Sequence, residues 1–391
     1  MRQLCIIGPD YTGGQIVEGT ESIFELEGVP LRNAIIETEA LRFDPDAAEN
    51  ADRVFFKVHA FSCNYRDRAL ALHMAKPQHR KNYYVIGSEF VGEVLATGRQ
   101  VTDLKPGDRV IGDGAYPDSG VQGVMPGLPT NQGSRELQIM HRRKLIRLPE
   151  GIPDHIAAGF TIGGQTAYSM IRRLNLQDGD KVLVTSAKSS TSLFAICALQ
   201  NHPVEVYGLS TSECHRDELL ALGLRELIVV DPSQRGWSDS PDLMKRIGAF
   251  GGFNAVIDPF SDVYVPEITN LMAMGGRYTT CGIADQHSSL IGRDSDIAPI
   301  NPTNLMAGLM MKNITIIGNC LGQTGDLQAA LDDCAAGRLP VPVHSRIAPS
   351  DTGAFLTDTY LNKDRFGKVI FEYDRSPMVS AVQETRTMEP V

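Results

Sequence analysis

Between Ile86 and Val110 the chain alternates apolar and polar positions, with Phe90, Val91, Val94 and Leu95 followed by Gly98 and then by Pro106-Gly107-Asp108. That rhythm predicts short antiparallel strands joined by tight turns, as in a small barrel-like module. Downstream the rhythm changes. Val182 to Val184, Val204 to Tyr207, Leu227 to Val230, Ala255 to Ile257, Tyr278 to Cys281 and Ile314 to Ile317 are short, mostly β-branched runs. Helix-like segments separate most of them: Leu193 to Gln200, Arg216 to Leu222 before Gly223, Asp242 to Phe250, and Val265 to Met274 before Gly275-Gly276. Continuously apolar strands alternating with helices predict an α/β fold, a doubly wound parallel sheet covered on both faces. A nucleotide-binding domain over 162–326 is expected, with 1–161 and 327–391 forming a mostly-β, barrel-like domain and a cleft between the two. The polar stretch from Ser376 to Val391 reads as a tail.

Charge narrows the function classes. A formal net charge of −10 argues against nucleic acid and anionic membrane as partners, since both call for a basic surface. No apolar run is long enough to span a bilayer, and the apolar part of MRQLCIIGPDY is too short for a secretory signal. The seven cysteines are scattered without a Cys-x-x-Cys pair, which fits reduced thiols and a cytoplasmic location.

Several short motifs then carry a resemblance. Asn64-Tyr65-Arg66-Asp67, Gly87-Ser88-Glu89, Gly163 to Tyr168, Ile257-Asp258-Pro259, Met274 to Arg277, Ile316-Ile317-Gly318 and Phe366-Gly367-Lys368-Val369 stand in this order along the chain. Together they resemble the medium-chain dehydrogenases/reductases, and within them the zinc-independent quinone oxidoreductase and enoyl reductase branch. The resemblance implies a GroES-like catalytic domain beside a Rossmann-type domain. It also marks about fifteen extra residues before Val54. Zinc alcohol dehydrogenases begin the second motif Gly-His-Glu; here the histidine position is Ser88. By the same matching the three ligand positions fall on Asn64, Ser88 and Ile162, none of them competent for zinc, and the structural-zinc loop lacks cysteines over 113–132. No metal is expected. Glu89 is read as a structural brace with Arg66 or Asp67 in its network, and Cys63 as a small buried filler.

A dinucleotide site should have glycines after the first strand of the parallel sheet. Serines stand in those places: Thr185, Ser186, Ala187, Lys188, Ser189, Ser190, Thr191, Ser192. Their hydroxyls, the helix N-terminus and the Lys188 charge can still receive phosphate, while the bland reading is a serine-rich helix cap. The second strand ends in Ser210 and Thr211 with Arg216 nearby and no acid at the strand end, so NADP(H) is preferred over NAD(H). The resemblance adds Lys368 as a phosphate contact, Thr166 beside the nicotinamide and Gly282 alongside the cofactor.

The expected reaction is metal-free hydride transfer to a conjugated double bond or a quinone. Tyr65 would serve as donor to the carbonyl oxygen or enolate, and Asn64 as a contact to substrate or ribose. For Tyr65 a packed aromatic with its hydroxyl on a carbonyl is the competing reading. Two other functions stay open: a metal-free ketone or aldehyde reductase, and an inactive binding or scaffold relative. The substrate is expected to be a small molecule or a carrier-bound group. The branch implies a homodimer, and the Gly/Pro-rich stretch 112–133 a cleft loop that shapes substrate choice.

Overall fold

The computed structural model describes residues 1–13, 15–234, 236–285, 297 and 300–374; the expected tail from Ser376 lies outside them. Among the described residues there are three sheets. The N-terminal one orders Gln15–Ile16, Val29–Glu37, Arg2–Ile7 and Tyr83–Val85, with Ser22–Leu26 added to Val29–Glu37. The second sheet orders Leu145–Arg147, Arg109–Gly112, Glu89–Thr97, Arg53–Ser62, Lys368–Glu372 and Val343–Ile347, with Leu137–His141 also on Arg53–Ser62. The alternation after Ile86 becomes the antiparallel pair Glu89–Thr97 and Arg109–Gly112, in register at Val91 and Ile111.

The third sheet is parallel and has six strands: β1 (Lys181–Val184), β2 (Glu205–Ser210), β3 (Glu226–Val229), β4 (Phe253–Asp258), β5 (Met272–Thr280) and β6 (Thr315–Gly318). Their spatial order is 3-2-1-4-5-6. The order reverses between β1 and β4, where open α/β sheets leave a crevice at the strand ends. This is the two-domain α/β arrangement that the alternation predicts.

Three helices place the site. Helix α1 (Tyr65–His73) begins at Asn64 in a reciprocal capping box with Asp67. Helix α2 (Thr161–Leu174) packs on α3 (Ser190–Leu199). Gly163 makes that approach feasible, since a Cβ there would sit 2.4 Å from the Phe194 ring. The expected domain limit at 161/162 falls at the first residues of α2, and that at 326/327 inside the helix Thr324–Ala335, which also packs on α2.

One element ends differently from its expectation. The helix forecast over Val265 to Met274 runs over Ser261–Leu271, and β5 takes over at Met272. Pairing to β4 jumps from Phe253↔Met272 to Ala255↔Arg277, so Gly275, at φ 72°, serves a bulge in the strand and not a helix stop. The helices Thr161–Leu174 and Pro302–Lys312 are not marked by the pattern.

Candidate active site

A cavity of about 720 Å³ opens where α1, the loop after Gly112, α2, the N-terminus of α3 and the ends of β4 and β5 converge. Of the side chains singled out from sequence, Asn64, Tyr65, Thr166, Ser189, Ser190, Thr191 and Gly282 line it. Ser186, Lys188, Ser192, Ser210, Thr211, Arg216 and Lys368 do not.

The barrel side is a closed hydrogen-bonded network. Glu89, 1% exposed, accepts from Ser62 Oγ at 2.6 Å, Asn64 Nδ2 at 2.9 Å, the Ile162 amide at 2.9 Å and the Lys368 ammonium at 2.5 Å. Asn64 also donates to Ser88 Oγ at 3.1 Å and accepts from Lys368 Nζ at 2.6 Å. Ser88 in turn donates to Asp67 at 2.5 Å. Burial raises the Asp67 carboxyl to about 6, against the donors Ser88 and the Asn64 amide. The three positions matched to metal ligands do meet here, but as an amide, a hydroxyl and an isoleucine, with an ammonium among them. That donor set does not fit zinc, and no group of three or more His, Cys, Asp or Glu among the described residues could hold a metal ion. Cys63 lines the cavity with its thiol pushed well up by burial.

Three expectations need correcting on this side. Lys368 is no phosphate contact: at 3% exposed, its ammonium is spent on Glu89 and Asn64. Asn64 has both side-chain atoms committed inside the protein, so it braces the site and has no free donor for substrate. Of the two residues named for the Glu89 network, Asp67 joins it through Ser88, whereas Arg66 stays outside and donates to Asn131 of the long loop. Tyr65 lies against Phe260 at 5.3 Å, and its hydroxyl donates to the Ala284 carbonyl at 2.6 Å. Burial, with Asp262 and Asp285 adding to it, raises that phenol to about 12.

On the nucleotide side, Ser189 caps α3 by accepting from the Ser192 amide at 3.3 Å. Ser192 Oγ turns inward and donates to the Thr185 carbonyl at 2.7 Å, so its hydroxyl is spent inside the fold and not on phosphate. The first-turn amides of Ser190 and Thr191 have no intrahelical acceptor, as at any helix start, and both residues face the cavity. Beside them Arg365 reaches from the barrel side, donating to Ser190 Oγ at 3.2 Å and to the Gly367 carbonyl at 2.9 Å. Open amides with a guanidinium fit a pyrophosphate. Sequence reading missed Arg365, although it adjoins the Phe366-Gly367-Lys368 motif. Gly282 packs close to the end of β4, where a Cβ would lie 2.5 Å from the Pro259 carbonyl oxygen.

At the end of β2, Lys188 Nζ donates to Ser212 Oγ at 2.9 Å, and the Ser212 amide donates to Ser210 Oγ at 3.3 Å. Ser186 sits in the left-handed region at φ 46° with its hydroxyl near Tyr264, and Thr211 is exposed. Arg216 does not face this cluster freely: its guanidinium is paired with Glu213. The long loop does reach the cavity, through Tyr116, Gly127, Leu128 and Asn131. It is anchored by Asp113, which accepts from Arg143 at 2.7 Å and from Gln165 Nε2 at 3.0 Å.

Residues 50–150 match the alcohol dehydrogenase GroES-like domain. The chain is 28% identical to acryloyl-coenzyme A reductase of Metallosphaera sedula over 309 residues, 76% of this chain and 84% of that one. In this domain and in this relative the chain is similar to the medium-chain dehydrogenases/reductases. Quinone oxidoreductase-like protein 2 of Bos taurus is also 28% identical, over 72% of this chain and 74% of its own. In shape, the chain superposes on the CurK enoyl reductase with a TM-score of 0.67 at 17% identity, covering 95% of this chain and 100% of that one. It spans only 6% of the length of a pikromycin polyketide synthase component from Streptomyces venezuelae that it also matches. The chain is thus similar to quinone oxidoreductase-like proteins in sequence and to an enoyl reductase in shape. No helix among its described residues is long and apolar enough to cross a membrane.

Proposed function

We propose that this protein transfers hydride from NADPH, in preference to NADH, to a double bond conjugated with a carbonyl or to a quinone, without a metal. The observation that carries the reading is the closed network of Asn64, Ser88, Glu89 and Lys368 at the matched metal positions. Reducing an isolated ketone concentrates charge on one oxygen, which a Lewis acid would otherwise stabilise. A conjugated acceptor spreads that charge and can be served by hydrogen-bond donors alone. The names of the acryloyl-coenzyme A reductase and quinone oxidoreductase-like relatives support this acceptor class.

A reduced nicotinamide supplies the hydride when bound. Ser190, Thr191 and Arg365 would hold its pyrophosphate, and Thr166 and Gly282 line the space for its ring. Lys188 with Ser210 and Ser212 would take the 2′-phosphate, a role in which Lys188 replaces Arg216. Tyr65 keeps its proton to about pH 12 and would turn its hydroxyl from Ala284 toward the developing oxyanion.

The reading also takes the protein as a cytoplasmic homodimer. Strand β6 is an edge strand with Ile316 40% exposed, and the helix before it exposes Met306, Met310 and Met311 by 53%, 72% and 78%. A second copy would cover that apolar edge. Oxidation of NADPH and NADH against conjugated thioesters, enones, quinones and simple ketones tests the activity. Turnover of simple ketones alone would assign the protein to the metal-free ketone reductases. Failure to bind either nucleotide in a thermal-shift titration would assign it to the non-catalytic relatives.

A further inference from the structure

We propose that the substrate carries an anionic group and that Arg66 is the side chain that recognises it. This rests on the hydride-transfer reading and specifies the substrate of the same cavity. In a chain of net charge −10, three guanidiniums and no carboxylate line that cavity among the described residues. Two of the three are already committed. Arg365 lies at the start of α3 on Ser190 and Gly367, on the cofactor's side. Arg68 is paired with Glu27 of the N-terminal hairpin and lies over the Tyr65 ring, 5.4 Å from its centroid.

Arg66 differs from both. It is half-buried, its hydrogen bond is to the neutral Asn131 side chain, and it forms no ion pair with a described carboxylate. Its neighbour Asp67 faces inward, with one carboxyl oxygen taken by Ser88 and the Asn64 amide. Arg66 therefore stands on the barrel wall next to Tyr65, at the first turn of α1, where the helix end adds positive potential. Asn131 belongs to the long loop that also lines the cavity. A cation so placed, with four N–H groups left to donate after its bond to Asn131, suits a phosphate or carboxylate held outside the reacting carbons. The chemistry it would read is the phosphate of a phosphopantetheine-type thioester, whether as a free coenzyme A ester or on a carrier protein.

Steady-state kinetics on three probes with one crotonyl head test this: crotonyl-coenzyme A, crotonyl-loaded acyl carrier protein, and the uncharged crotonyl N-acetylcysteamine thioester. R66Q is expected to raise KM for the phosphate-bearing probes by about tenfold to a hundredfold, the loss typical of a charge-assisted hydrogen bond. It should leave kcat, and the KM for the uncharged thioester, nearly unchanged. R66K should restore part of the loss as a point charge, and added salt should raise KM for wild type more than for R66Q. A larger loss with the carrier than with the coenzyme A ester assigns the carrier as source, and the reverse assigns the free ester. Equal losses on charged and uncharged probes, or none, overturn the role of Arg66. If no probe is reduced, conjugated thioesters drop out of the hydride-transfer reading, and calorimetry still decides on Arg66. Crotonyl-coenzyme A binding to wild type but not to R66Q supports it, and equal binding overturns it.

Discussion

Lys368 and Tyr65 show how far a residue's neighbours decide its task. Lys368 belongs to a strand of the barrel-side sheet, and its ammonium meets Glu89 where both are almost solvent-free, at 3% and 1% exposed. Removing one member strands the other charge in a low dielectric. K368M is therefore expected to cost about 3–5 kcal/mol, and the double variant K368M/E89Q less than the two singles together. Urea unfolding measures both; a neutral K368M would mean the pair is solvated and the brace imaginary. Tyr65 is argued on chemistry instead. Y65F is expected to lower kcat on a conjugated substrate by about a hundredfold or more, with a stability loss of about 1 kcal/mol for the unmet Ala284 carbonyl. Because burial carries the phenol to about 12, wild-type turnover should not fall through pH 10, where an ordinary tyrosine ionises. Unchanged turnover in Y65F leaves the hydroxyl as a packing contact on Ala284.

At the scale of elements, Gly282 tests whether the strand ends are held close for the cofactor. G282A would thrust a methyl to 2.5 Å from the Pro259 carbonyl oxygen, so β4 and β5 must part at their C-terminal ends. A stability loss of about 1–3 kcal/mol and weaker NADPH binding are expected, read by calorimetric titration. Full-strength binding would place the cofactor elsewhere. The same strands explain what was legible in the sequence. Burial on both faces writes the inner parallel strands as largely apolar runs, and β-branched residues made the exposed edge strand β6 readable as well. Helix α2 was not, because Gly163 and Gly164 look like breakers, whereas they admit the Phe194 and Phe160 rings. Arg365 escaped notice because its partner Ser190 is 175 positions away, and no local pattern encodes such a contact. Lys368 was misassigned for a related reason: a motif carries residue type but not the direction of a side chain. The missing acid after β2 was readable, and so was Glu213 three positions before Arg216, a spacing that already weakens Arg216 as a phosphate contact.

For the whole molecule, two buried carboxyls tie stability to pH. Asp258, wholly buried at the end of β4, accepts from Thr185 Oγ1 at 2.6 Å, the Phe260 amide at 2.8 Å and the Tyr278 hydroxyl. Those donors favour its charged form, but burial outweighs them and raises it from 3.8 to about 6, as it does Asp67. A carboxyl raised on folding is held more tightly protonated in the native state. Its stabilisation is complete below the unfolded value and disappears as pH climbs through about 6, a change of roughly 3 kcal/mol for Asp258. Other carboxyls work the opposite way: Glu136 is lowered by Arg2, and the exposed Asp10 and Asp103 by arginine partners. The raw pH curve therefore mixes both signs, and D258N isolates one. Between about pH 4 and 6.5 the wild type should lose stability relative to D258N, and above pH 7 the difference should be constant. Asparagine presents a donor where the carboxyl accepted, so D258N is expected to be less stable at low pH by about 1–3 kcal/mol, which leaves the slope as the diagnostic quantity. Denaturant unfolding across that range reads it directly. A difference that is flat, or that grows in favour of the wild type with rising pH, would mean that Asp258 enters the fold already ionised and that its three donors outweigh its burial.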